Sequence, residues 1–479
     1  MATDERALPL CVDLDGTLIR SDVLWECLVA LLKHNPASLL LVPWWLLTGG
    51  RSRLKRELAK RASLNTGNLP YNQELLEFLR TEREQGRRIV LVTAADEQLA
   101  GRIADGIGIF DEVHGSKDGT NLKGRKKAEF LRAEFGDRRF EYVGDSLSDA
   151  HVWKLAGAAY VVGNGAAAKR AAAVTTVRRH FPGTKSSAAR WLGALRIHHW
   201  SKNVLLFVPL LLAHKWGLRP FMMTALGVLF FGLCSSGVYI LNDLLDLHSD
   251  RAHPWKNTRP FASGELSIPS GLLAFVVLEG LALGLGATIL NGKFAAALVL
   301  YLVATTAYSV RLKKVVLLDV FVLSSFYTLR IWAGSLITAT PLSHWLLGFS
   351  LFLFLSLSMA KRYSELLHAS ELTASGNSGR GYRACDRELL MAIGTASTFS
   401  AIVILSLYVH STDVVALYRR PGLLLLMCPL LLYWACRIWL KAQRGELNED
   451  PVTLAMSDKV SYFVGALGLA IIYFSSPIH

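Results

Sequence analysis

At 479 residues the chain is longer than one ordinary domain, and its 52% hydrophobic content with a mean hydropathy of +0.33 sits above the soluble average. The excess is uneven. Residues 1 to about 190 mix charge with apolar side chains, whereas 203–479 repeat long apolar runs, which predicts a soluble domain followed by an integral membrane domain. The net charge of +14 has no nucleic-acid recognition motif beside it, so it is read as Lys and Arg in loops between membrane helices, and nucleic acid is excluded as a partner.

The first element, LPLCVDLDGTL, reads as an apolar strand ending in Asp13 and a tight loop at Gly16. ASLLLVPWWLL, residues 37–47, is strongly apolar but too short to span a bilayer. It fits either a buried cap helix or a helix resting on a membrane surface. RRIVLVTAAD and FEYVGDS repeat the strand pattern, with Thr93 and Asp145 at their carboxyl ends. Helical stretches such as YNQELLEFLRTEREQG and KKAEFLRAEFG separate them, so the expected fold is α/β with a parallel sheet and ligands at the strands' carboxyl ends. The expected boundaries are 1–185 for this domain with its small cap, 186–202 for a linker and 203–479 for an all-α polytopic domain.

Nine spans are expected, at 203–218, 221–241, 271–290, 294–310, 316–338, 344–360, 391–411, 421–440 and 460–476, with polar loops at 361–388 and 441–459. His214 and Lys215 cut the first one short. Lys and Arg concentrate in the loops after even-numbered spans, and MATDERALPL lacks the basic and apolar regions of a signal peptide. These features predict a multi-pass protein of the cell's inner (cytoplasmic) membrane, with the N-terminal domain in the cytoplasm and the C-terminus on the opposite side. The six cysteines are scattered without a CxxC pair and read as reduced apolar residues.

In the soluble domain, two aspartates two residues apart at a strand end, Asp13 and Asp15, suit a nucleophile and an acid/base around one Mg²⁺. Asp145 and Asp149 add carboxylate oxygens for that hard cation, and Thr93 with a nearby lysine would hold phosphoryl oxygens. Lys127 is the favoured lysine, with Lys126 and Lys123 as competitors. DLDGTL, VTAAD and GDSLSD together resemble the haloacid dehalogenase-like phosphohydrolases over residues 8 to about 180. That resemblance implies an aspartyl-phosphate on Asp13 and protonation of the leaving group by Asp15. It also implies phosphate on Thr93 and Lys127, and Mg²⁺ on Asp13, the Asp15 carbonyl and Asp145. A catalytically inert scaffold is the competing reading.

In the membrane domain, NDLLDLHSDRAHPWKNTRP puts Asp243, Asp246 and Asp250 at i, i+3 and i+7, on one face of a continued helix, with Asn242 beside Asp246. Such carboxylates repel one another unless a cation sits between them. Mg²⁺ carrying a diphosphate, with Lys256 and Arg259 on phosphate oxygens, satisfies both signs; mutual neutralisation by Arg251, Lys256 and Arg259 is the alternative. NDxxDxxxD resembles the first aspartate motif of the UbiA-type intramembrane prenyltransferases. Over 194–479, four blocks are similar to the decaprenyl-phosphate phosphoribosyltransferase branch: ALRIHHWSKNVLLFVPLL, DRAHPWKNTRPFASGEL, AYSVRLKKVVLLDVFVLSSFYTLRIWAG and MAKRYSEL.

Ordinary prenyltransferases carry paired aspartates in a second acidic motif. Here Asp319 stands with Leu323 four residues on. The cations Lys202, Arg311, Lys313, Arg330, Lys361 and Arg362 suit several phosphates, although about half would serve only as positive-inside residues. Asn203 and Tyr308 join the expected phosphate-binding set, and Asn242, Asp319, Glu365 and Tyr382 the substrate-binding set. The loop 369–389 is expected to close over substrate through Tyr382 and Arg383. The resemblances together imply a bifunctional, Mg²⁺-dependent enzyme, possible as a homo-oligomer. It would transfer 5-phosphoribose from phosphoribosyl pyrophosphate to a polyprenyl phosphate, and then remove the 5-phosphate. The rivals are an aromatic or lipoquinone prenyltransferase with an accessory phosphatase, and a non-catalytic assembly protein.

Overall fold

The computed structural model describes residues 8–62, 64–117, 121–163, 165–183, 187–215, 217–372, 381–447 and 458–476. The chain divides into two compact units, Met1–Ala194 with Ile240–Ala274, and Leu195–Tyr239 with Phe275–His479. The acidic stretch after residue 240 therefore belongs with the N-terminal chain, not with the membrane residues beside which the sequence places it.

Among the described residues the first unit holds six strands: β1 (Leu10–Val12), β2 (Ile89–Asp96), β3 (Glu112–Ser116), β4 (Glu141–Gly144), β5 (Ala158–Gly163) and β6 (Thr176–Pro182). They lie in the order β3-β2-β1-β4-β5-β6, and every pairing is parallel. Parallel sheets need cover on both faces. Leu10 and Val12 enter one apolar cluster and Cys11 the other, as the strand's twofold period requires. Val12 pairs with Leu91 on one side and Val143 on the other, so the strand order reverses between β1 and β4. A crevice at the carboxyl ends is expected at that point.

Two helices follow β1. α1 (Val23–His34) is capped by Asp22, which accepts from the Leu24 amide, and it ends in Lys33 and His34, as the helix dipole favours. α2 (Val42–Arg61) is not one straight rod, because Gly49 and Gly50 leave helical geometry and Gly50 takes φ +59°. A side chain there would be strained. ASLLLVPWWLL forms a 3₁₀ turn, Pro36–Leu41, and the first turns of α2. The helix is anchored through Trp45, Leu54 and Leu58, while Leu40, Leu41, Trp44, Leu46 and Leu47 stay exposed.

Among the described residues, seven helices are long and apolar enough to cross a membrane. They are Leu218–Leu245, Ile268–Leu290, Gly292–Val310, Leu318–Thr338, His344–His368, Ala384–Val409 and Pro421–Gln443, with a shorter apolar helix at Lys459–Ser475. The expected first span, 203–218, is instead a 3₁₀ segment, Ile197–Phe207, and a short helix, Val208–Leu212. His214 takes φ +52°, and Lys215 Nζ donates to the Thr338 carbonyl at 2.7 Å, which caps the end of Leu318–Thr338. The odd span count that set the C-terminus opposite the N-terminus loses that member.

Two other segments hold more helix than the sequence suggests. The expected linker 186–202 is mostly helical, through Ala188–Leu195 and the 3₁₀ segment. The expected loop from residue 361 begins later, because the helix His344–Leu372 continues through Lys361, Arg362 and Glu365. Residues 373–380 of the loop lie outside the described residues.

Candidate functional sites

At the carboxyl ends of β1 and β4 the first unit gathers its acids. Asp13 follows β1 directly, its Oδ1 accepting from the Leu14 amide at 2.8 Å and lying 2.8 Å from Lys127 Nζ. Lys127 lies on α3 (Arg125–Phe135) and is buried, while Lys126 and Lys123 are exposed, so Lys127 is the lysine brought to Asp13. Lys127 Nζ also donates to Tyr142 Oη at 2.9 Å, and that hydroxyl donates to Asp149 Oδ1 at 3.2 Å. Asp149 Oδ2 accepts from the Ser146 amide and hydroxyl at 3.0 and 2.8 Å. Thr17 Oγ1 donates to Asp145 Oδ1 at 3.4 Å, and Asp15 Oδ1 accepts from the Val23 amide at 2.8 Å.

A side chain at Gly16, where φ is +74°, would place its Cβ 2.2 Å from Asp145 Oδ2, so only glycine lets Asp145 approach. Thr93 is fully buried; its hydroxyl accepts from the Ala95 amide at 3.0 Å, and the three residues after it, not Thr93 itself, are among those lining the cavity beside these acids.

The charges are under-compensated. Burial pushes the Asp13 carboxyl above its usual range against the pull of Lys127. Burial, then Asp22, takes Asp15 to about 8; burial, then Asp13 and Asp149, takes Asp145 to about 7. Burial alone would lower Lys127, but the facing Asp13 and Asp149 hold it above its ordinary value. Oxygen atoms of Asp13, Asp145 and Asp149 lie within 4.8 Å of one another, a donor set that fits a hard divalent cation such as Mg²⁺. A cavity of about 580 Å³ opens onto these residues. Its wall includes Arg51 and Lys55 of α2 and Ser267, Ile268 and Pro269, where the span Ile268–Leu290 begins. Lys55 Nζ donates to the Ala94 carbonyl at 2.6 Å. Sequence reading missed both cations; their i, i+4 spacing on α2 was the available signal.

The acidic stretch does not form one unbroken helix. Leu218–Leu245 stops, Asp246 takes φ −97° and ψ 8°, and a short helix runs Leu247–Arg251. Asp243 Oδ1 and Asp250 Oδ2 both accept from Arg259 Nη1, at 3.1 and 2.7 Å, so a cation does sit between two of the three carboxylates. Asp246 instead lies 3.2 Å from Lys33 Nζ of α1. Arg251 grips the fully buried Glu26 of α1 with both terminal nitrogens, at 3.0 and 2.8 Å. Lys256 is exposed and Asn242 half-buried.

In the second unit, Asp319 is fully buried. Its Oδ2 accepts from Arg362 Nε at 2.6 Å, and its Oδ1 accepts from the Tyr382 hydroxyl, which also accepts from the Leu317 amide. Arg362 further donates to Glu365 at 2.6 Å and to Tyr308 at 3.1 Å. Tyr382 is thus tied into the helix ends, while Arg383 is exposed. Arg330 donates to Asn203, to the Phe326 carbonyl and to Tyr301, and lies near the rings of Phe231, Tyr301 and Tyr327. Lys202 Nζ lies 5.7 Å from the Tyr327 ring centroid. Lys313 and Lys361 are half-buried, and Arg311 is exposed.

A parallel α/β domain with acids at its strand ends, joined to a polytopic helical domain, defines a hydrolase-like domain fused to a membrane transferase. Residues 204–456 match the UbiA prenyltransferase family, and residues 10–154 match the haloacid dehalogenase-like hydrolases. The chain belongs to the UbiA prenyltransferase family and carries a haloacid dehalogenase-like domain at its N-terminal side. It is 42% identical over 469 residues to the uncharacterized protein y4nM of Sinorhizobium fredii, covering 97% of this chain and 90% of that one. Nodulation protein NoeC of Azorhizobium caulinodans is 35% identical over 283 residues, covering 58% of this chain and 90% of that one. Decaprenyl-phosphate phosphoribosyltransferase of Mycobacterium tuberculosis is 36% identical over 188 residues, covering 38% of this chain and 61% of that one.

Proposed function

We propose that the chain is a polyprenyl-phosphate phosphoribosyltransferase with its own phosphatase, set in the inner membrane with the soluble domain in the cytoplasm. In the first step a phosphate oxygen of the polyprenyl phosphate attacks C1 of phosphoribosyl pyrophosphate, and the C1–oxygen bond to pyrophosphate breaks. Asn242, Asp243, Asp246 and Asp250 would hold Mg²⁺ and the leaving group, and Lys256 and Arg259 would take phosphate oxygens. In the second step Asp13 attacks the 5-phosphate while Asp15 protonates the departing ribose oxygen, and water then releases phosphate from Asp13. Mg²⁺, held by Asp13, Asp145 and Asp149, would neutralise phosphoryl oxygens. Lys127 neutralises the nucleophile's surroundings from the other side, and Asp15, held largely protonated by its burial, is suited to giving up a proton.

The observation that carries the transferase half is the state of Asp319. Arg362 and Tyr382 bond its two oxygens and Leu323 stands four residues on, so the paired carboxylates of a second metal cradle, on which a prenyl diphosphate depends, are not present at that position. The named mycobacterial relative supports the same substrate class. The test is a reaction with labelled phosphoribosyl pyrophosphate, decaprenyl phosphate and Mg²⁺. Pyrophosphate and a polyprenyl-linked ribose should form, and Asp13→Asn should make the 5-phosphorylated lipid accumulate. Turnover of geranyl diphosphate with an aromatic acceptor, and none of phosphoribosyl pyrophosphate, would sink the transferase reading.

A further inference from the structure

The tip of the phosphatase cap has no use in either reaction. Leu40 and Leu47 are 82% and 84% exposed and Trp44 is 59% exposed, with Leu41 and Leu46 beside them. Adjacent tryptophans face opposite ways: Trp45 is buried with the Arg61 guanidinium 4.8 Å from its ring centroid, while Trp44 stands out. The apolar tip is therefore not a remnant of core, because the helix has a separate anchoring face.

Two further observations say what covers it. Beyond the Gly49–Gly50 break the same helix turns basic, with Arg51, Arg53, Lys55, Arg56, Lys60 and Arg61 against the single acid Glu57. Leucines and an outward tryptophan followed by a basic run is the make-up of a segment lying in the headgroup region of an anionic bilayer. Moreover, the cavity that α2 lines has Ser267, Ile268 and Pro269 on its wall, and a membrane span starts at Ile268. Span ends lie at the membrane surface, so the part of the cavity wall made by these three residues belongs at that level.

We propose that the Leu40–Leu47 tip is a lipid-docking element that seats the cap in the bilayer interface. The break at Gly49–Gly50 then lets the seated tip and the Arg51–Lys55 turn, which lines the cavity, take different directions. The phosphatase would thereby meet its substrate at the membrane surface and not in bulk water. This seating does not depend on which phosphate the cavity hydrolyses.

The test uses the full chain in vesicles of phosphatidylcholine and phosphatidylglycerol. An environment-sensitive nitrobenzoxadiazole dye is placed on Leu47→Cys, with Cys385→Ser and Cys436→Ser removing the two exposed cysteines. A seated tip gives blue-shifted emission that falls at least about twofold when the lipids carry acyl-chain nitroxides, and falls less without phosphatidylglycerol. Water-like, unquenched emission overturns the proposal. Adding Leu40→Asp and Trp44→Asp should restore water-like emission with the melting temperature unchanged, since both residues are exposed. Quenching that persists in that variant would equally overturn it, because something other than the apolar tip would be holding the segment.

Discussion

The chain buries aspartate in two opposite ways. At Asp13 the acids crowd together: three carboxylates share a space of a few ångströms, and burial with mutual repulsion drives Asp13 and Asp145 upward. At Asp319 one carboxylate is matched oxygen by oxygen, by Arg362 and by Tyr382. A buried charge left short of partners is held against its own preference, and such places are where a cation or a reacting group is accommodated. A buried charge with a donor on each oxygen is a fastening. Acidic residues inside a membrane-protein sequence are therefore not one class, and their partners separate them.

That contrast can be broken by mutation, taking the largest effect first. Asp13→Asn should cut phosphomonoester hydrolysis by at least about 10³-fold, the scale on which a covalent nucleophile is missed. It should leave the melting temperature equal or higher, since it relieves repulsion. A variant that loses stability together with rate would erase the distinction. Asp243→Ala should lower pyrophosphate release by about 10²-fold or more while hydrolysis stays unchanged, because it removes a carboxylate from the acidic stretch alone. Gly16→Ala should cost about 10-fold or more in hydrolysis, since its Cβ would sit 2.2 Å from Asp145 Oδ2.

Arg362→Met addresses the fastening. Removing one partner of a buried pair costs about 3–5 kcal/mol, to be read as a lower melting temperature in detergent, with hydrolysis by the first unit unaltered. The smallest effect belongs to Lys126→Ala. This exposed neighbour of Lys127 should leave hydrolysis within about twofold, as surface substitutions usually do.

Much of this was legible in the residues. Strand ends were marked by Asp13 and Asp145, because an apolar run stopping at a polar residue has few other meanings in an α/β pattern, whereas β2 runs on past Thr93 to Asp96. The lysine was only narrowed to Lys127, which heads KAEFL, against Lys126 and Lys123, and the structure buries Lys127 beside Asp13. The sequence failed where distant parts of the chain decide. Residues 203–218 are apolar enough to be read as a span, yet Lys215 is spent on the carbonyls that end another helix. The three aspartates looked aligned on a helix that in fact breaks at Asp246, whose partner Lys33 lies 213 residues earlier. Tyr382 sat in a polar, glycine-rich loop and read as mobile, whereas Asp319 draws it into the core. No local pattern encodes any of these pairings.

The grip of Arg251 on Glu26 bears on how such a fusion can be inherited or rebuilt. The two residues are 225 positions apart, one in the phosphatase cap and one in the acidic stretch, yet they share a two-pronged ion pair that is almost wholly out of water. Changing one alone strands a charge, so in descendants of this chain positions 26 and 251 should drift together or not at all. An engineer exchanging the phosphatase for another would need a cut that carries residues 240–274 along with it. The ion pair thus lies inside the first unit, whose boundary falls within the helix Leu218–Leu245.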